Sequence, residues 1–114
     1  MIGRIQEQIF SQSLVSAALN VSYDYVEDGT VQAIYLNFST SITETITITK
    51  VSRHGANYNI LLDTNTLNAE SSYIFHPEWK VVLKKGDSIK VQCTNANTTG
   101  TVYGTIHFEG GINE

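Results

Sequence analysis

One cysteine, one proline, one tryptophan and one methionine are spread through 114 residues. A lone cysteine excludes an internal disulfide. Charged residues make up 16% of the chain, well under the usual quarter. The seven basic residues are scattered, and Lys84-Lys85 is the only adjacent pair. A surface that neutralises phosphates needs clustered Lys and Arg, so no nucleic-acid partner is expected. No apolar run approaches the roughly 20 residues of a membrane span, and no membrane partner is expected. The first twenty residues lack the continuous apolar stretch of a signal peptide, so secretion by the usual route is not expected.

Chemistry-bearing motifs are equally sparse. The histidines, His54, His76 and His107, fall in no H-x-H or HExxH spacing, and C-x-x-C is absent. The acids Asp24, Asp28, Asp63 and Asp87 lie at or near strand ends, where carboxylates usually satisfy turn amides. No D-x-D-x-D-G run offers converging oxygens to calcium. Glu78 lacks a second carboxylate of similar character for a glycosidase dyad. No metal, no cofactor and no catalytic residue is expected. Asn20, Asn37 and Asn97 head glycosylation sequons, which chance supplies in a chain this rich in Asn, Ser and Thr.

What the chain does have is a period of two. Leu19, Val21, Tyr23 and Tyr25 alternate with polar residues. Glu27-Asp28-Gly29-Thr30 reads as a tight hairpin turn, and 31–39 as the returning strand with Ile34, Leu36 and Phe38 on the core face. "TETITITKVS" puts Ile46 and Ile48 opposite a row of threonines, which keep β-propensity on a wet face. A turn at Gly55 follows, then a strand over 58–64 with Tyr58, Ile60 and Leu62 on one face, then a polar loop over 65–72. A short strand over 73–75 ends at "HPEW", because Pro77 has no amide hydrogen and holds His76 extended. Residues 81–83 and 88–94 read as a hairpin about "KKGD", with Ile89, Val91 and Cys93 inward. Cys93 is thus a small core residue. The last strand, 101–108, points Val102, Gly104, Ile106 and Phe108 one way. Gly104 within it signals a bulge or a close approach to a large neighbour.

Seven or eight strands at roughly ten-residue spacing indicate an all-β sandwich or barrel. By length this is one domain, over 18–110, with an N-terminal arm over 1–17 and a flexible tail over 111–114. Ile2, Ile5 and Ile9 fit a helix and Ile5, Glu7 and Ile9 fit a strand, so the arm's conformation stays open. It lies on its own sandwich or on a neighbouring subunit. Trp79 also has two readings: a plug sealing the sandwich where the strand breaks, or an exposed stacking platform. The plug is preferred.

The segment "SSYIFHPEWKVVLKKGDSIKVQCTNANTTGTVYGTIHFE" resembles small virion proteins of tailed bacteriophages, of the head decoration, cement or accessory type. The resemblance lies in the aromatic-Pro-Trp segment, the L-x-x-G-D-x-I-x-V stretch, the Asn-rich turn and the final strand, within residues 67–108. It implies a jelly-roll-like antiparallel β-sandwich. It also implies a homo-oligomer, often a trimer, that binds a major capsid or other virion protein, in a virion assembled in the host cytoplasm. Ile5, Ile9 and Phe10 of the arm are then expected to contact the partner. Tyr23, Tyr25, Tyr35 and Tyr103 form an aromatic face against another subunit, or pack within the domain. The expected role is structural, not enzymatic. The alternative is a carbohydrate- or receptor-binding module built on Tyr73, His76 and Trp79.

Overall fold

The computed structural model describes residues 5–95 and 100–110. The tail over 111–114, the start of the arm and the Asn97 sequon lie outside the described residues. Nine strands and one 3-10 turn follow in order: β1 (Gln6–Ser13), β2 (Asn20–Asp24), β3 (Gly29–Ile42), β4 (Thr45–Val51), the turn Ala56–Tyr58, β5 (Ile60–Thr66), β6 (Glu70–Phe75), β7 (Val81–Leu83), β8 (Ser88–Cys93) and β9 (Thr101–Glu109).

All strand pairs are antiparallel. One sheet has the order β1-β9-β3-β6, with β7 also on β3; the other runs β2-β8-β4-β5. This winding is a jelly roll, in which successive strands mostly alternate between two facing sheets. The expected seven or eight strands become nine among the described residues, because the segment read as an arm supplies β1. β6 and β7 follow one another along the same edge of β3. β6 reaches Phe75 opposite Ile34, and β7 starts at Val81 opposite Val31. Pro77 lies in the gap and has no N–H for a ladder.

Two expected hairpins are corrected by this topology. β2 and β3 lie in different sheets, so 25–28 crosses the sandwich and makes no hairpin. Gly29 does not take a positive φ. Its small size is needed instead for close approach, since a Cβ there would sit 2.0 Å from the Glu109 carbonyl oxygen. β7 and β8 also belong to different sheets, so "KKGD" is a crossover between layers. Alternation of side chains marks a strand but carries no information about its partner.

The core lies between the layers. Ile34, Leu36 and Phe38 of β3 meet Ile46, Ile48, Ile89 and Val91 of the other sheet, all buried as the alternation requires. Val102, Ile106 and Phe108 face the same way, and so does the buried Cys93. A register shift between Val31 and Ala33 leaves Gln32 as an extra residue on β3. Val31 therefore faces the core while Ala33 falls on the outer side beside His107. Gly104 is explained by β1: Phe10 lies opposite it, and a Cβ on Gly104 would come within 2.0 Å of the Phe10 ring.

The segment read as an arm thus contains an edge strand of its own sandwich. Tyr58 lies outside β5, in the 3-10 turn, and is exposed. The expected polar loop shrinks, since β5 runs to Thr66, Leu67 is buried and β6 starts at Glu70.

Candidate functional site

Two exposed surfaces collect side chains that the fold does not need inside. The first is the outer face of the β1-β9-β3-β6 sheet. Strand register places Ile9, Thr105, Tyr35 and Ile74 in one row across the four strands. The next row is Ser11, Tyr103, Asn37 and Ser72. Ile9 is 69% exposed, Ile74 62% and Tyr103 53%. Together they line an open, mainly apolar groove of about 590 Å³. At its end the Tyr35 ring meets His107 edge-on at 5.1 Å, and His107 Nε2 lies 3.2 Å from Glu7 Oε2.

The second surface is the loop of residues 76–80. Both of its ends are fixed by ladder pairs to β3, and only Gln32 and Ala33 lie between those pairs. The loop is longer than the edge it spans, so its middle is pushed outward. Trp79 is 84% exposed there, which overturns the plug reading. At the strand break the core positions are taken by the buried Phe75, Tyr73 and Leu83. Grooves of about 460 and 400 Å³ share Trp79 as a wall. Asp63, His76 and Glu78 line the first; Gln32, Ala33, Lys80 and His107 line part of the second.

The residues expected to touch a partner are divided by the sheets. Ile5, Ile9, Tyr35 and Tyr103 are exposed or at the exposed margin. Phe10, Tyr23 and Tyr25 point between the layers. Phe10 packs on Tyr23 with centroids 6.0 Å apart, and Tyr25 packs edge-on against Phe108 at 6.3 Å. Tyr25 donates its hydroxyl to the Thr30 carbonyl, and burial pushes its pKa up. Intradomain packing is therefore what engages these three. Tyr73 likewise leaves the alternative ligand set. It is buried, donates to the Asp63 carboxylate across the sheets, and has its pKa raised by burial and then by Asp63. His76 and Trp79 do share a groove.

Ile74 was missed by sequence reasoning. The run Tyr73-Ile74-Phe75 reads as uniformly apolar, but strand alternation turns Ile74 out while its neighbours are buried. An apolar residue on the wet side of the alternation was the available signal.

Asp87 organises the opposite kind of site. Its carboxylate is 1% exposed and accepts from the backbone N–H groups of Arg53 and Lys84, each at 2.9 Å. Arg53 Nη1 and Lys50 Nζ lie 3.3 and 3.9 Å away. Burial opposes ionisation, but these amides and charges prevail and hold the pKa below the usual carboxylate range. The cluster ties the β7–β8 crossover to the end of β4. Among the described residues no group of three or more His, Cys, Asp or Glu side chains is placed to hold a metal ion. No helix among them is long and apolar enough to cross a membrane.

The fold defines the class: an all-β, antiparallel jelly-roll sandwich. No protein-family model matches the chain, and no curated protein sequence matches it. Among solved structures it is similar to infectious bursal disease virus of the Gx strain, with TM-score 0.45 and 14% identity over 94% of this chain. The Gt strain gives 0.43 and 13% over 94%, and the VP2 subviral particle of the same virus 0.30 and 13% over 96%. The chain spans 32% of the length of the first two and 42% of the third. Likeness at this level leaves function to be argued from the residues.

Proposed function

We propose that this protein is a non-enzymatic structural subunit of a virus particle, which docks on a capsid or neighbouring virion protein. The observation that carries the reading is the row Ile9, Thr105, Tyr35 and Ile74 with Tyr103 beside it, an apolar strip on the outer face of a sheet whose inner face is already filled. Contiguous exposed apolar surface on a soluble domain marks an interaction site. Jelly rolls serve capsids, lectins and cupins alike, so the fold permits this role without requiring it. The sequence resemblance to tailed-phage head proteins narrows the proposal to a decoration or cement role, with a homo-oligomer, a trimer in the simplest case. Repeated copies on a shell let individually modest contacts add up.

The test is the protein content of purified particles of the virus that encodes the chain. Mass spectrometry of density-banded particles should find it, and an Ile9→Glu, Ile74→Glu double variant should fold yet fail to attach. Absence from the particles, or undiminished attachment of that variant, refutes the docking face. Light scattering on the isolated chain tests the trimer.

A further inference from the structure

We propose that the loop of residues 76–80 is a binding site for a neutral saccharide, with Trp79 as its platform. The inference does not depend on the virion reading; its surface adjoins the docking strip, with Ile74 and Tyr35 on the border.

Three observations carry it. First, Trp79 is presented and not merely uncovered. Both loop ends are pinned by ladder pairs, Phe75 to Ile34 and Val81 to Val31, and Pro77 fixes one backbone angle between them. A loop held this way loses little freedom when a ligand seats on it. Second, the surroundings of the ring are more polar than the Ile9–Ile74 groove, although Ile74 and Tyr35 border both. His76 and Glu78 line the grooves on both sides, joined by Asp63 in one and by Gln32, Lys80 and His107 in the other. Several of these are already engaged: Asp63 by Tyr73, Gln32 by Thr30 and Glu109, His107 by Glu7. His76, Glu78 and Lys80 take part in none of the ion pairs among the described residues, which involve Asp87, Asp28 and Glu7. Third, Glu78 and Lys80 flank Trp79 with opposite charges in a chain of net charge −4, so the loop has no excess of positive charge to favour a phosphate or sulfate.

An apolar plane bordered by free donors and acceptors of both kinds suits a ligand with one C–H face and a rim of hydroxyls. A pyranose stacks its C–H face on an indole while its hydroxyls reach the Glu78 carboxylate, the His76 imidazole and the Lys80 ammonium. A purely apolar protein anchor would leave those three groups facing it without partners, at a cost.

Trp79 is the sole tryptophan, so intrinsic fluorescence reports this site alone. The free protein should emit at long wavelength and be quenched readily by acrylamide. Titration with neutral oligosaccharides of glucose, galactose, mannose and N-acetylglucosamine should give, for at least one, a saturable blue shift with protection from quenching. Saturation-transfer NMR on that sugar provides a readout that survives loss of the fluorophore. Trp79→Ala should weaken it by about tenfold or more. Trp79→Tyr should restore part, and Glu78→Gln should weaken it less. Unchanged melting temperatures for these variants verify folding. No saturable response to any of the four sugar types overturns the proposal. Protection that depends on protein concentration and needs no sugar also overturns it, and assigns Trp79 to a protein contact.

Discussion

Two short connections lie side by side in the chain and treat charge in opposite ways. The crossover over 84–87 buries its acid and pairs one of its exposed lysines. Asp87 is buried and gathers two backbone amides, Arg53 and Lys50, while exposed Asp28 accepts from the Lys85 N–H at 2.9 Å and pairs with Lys84 Nζ at 3.3 Å. The loop over 76–80 holds His76, Glu78, Trp79 and Lys80 out to solvent. Both carry acid and lysine a few residues apart, so composition does not separate them. The separation comes from what the backbone does: one segment ties two sheets together, the other spans a gap along a single edge. Charge that is consumed holds a fold, and charge left over is available for recognition.

The largest expected break in this contrast is Asp87→Ala. It strands the Arg53 and Lys84 amides and two nearby cations, and should cost about 3 kcal/mol of unfolding free energy by urea titration. Trp79→Ala under the same measurement should change stability by less than about 0.5 kcal/mol, because an exposed ring contributes little packing. Equal losses at the two sites would erase the distinction.

Acid should weaken the crossover. The Asp87 pKa is depressed below its ordinary 3.8, so its stabilisation is complete above that value and is lost as pH falls through the lower, folded-state value. Urea midpoints should therefore drop as pH falls below about 4. In Asp87→Asn that part of the drop should disappear.

Gly86→Ala is a smaller break in the same crossover. Gly86 has φ +97 and a Cβ would lie 3.1 Å from Arg53 Cβ, so a loss of about 1–2 kcal/mol is expected. Smallest of all, Lys80→Ala and Glu78→Gln should leave the melting temperature within experimental scatter while altering the surface that Trp79 dominates.

The legible parts of the molecule were those that rest on alternation. Ile34, Leu36, Phe38, Ile46, Ile48, Ile89 and Val91 all lie where period two puts them. Gly104 was legible too, since a glycine inside a strand leaves room for a neighbour, here Phe10. The candidate surfaces were only half legible. Tyr35 and Tyr103 face out, but of the same expected set Tyr25 is buried between the layers and Tyr23 packs, partly buried, against the core. A tyrosine satisfies either face of a strand, with a ring to bury and a hydroxyl to hydrogen-bond. Trp79 was misplaced because a strand break beside a large ring suggests a space to fill. Whether such a space exists depends on residues far away in sequence.

The amino-acid order by itself determined that this chain is β-structured, which side chains face inward along most strands, and that Pro77 interrupts one of them. Those properties are local: they follow from side-chain alternation and from an amide that proline lacks. Only the tertiary structure decided that β1 closes against β9, that 25–28 and "KKGD" cross between layers, and that Trp79 stands clear of the protein. Backbone ladders bond any strand to any other, so the choice of partner falls to the packing of the whole sandwich.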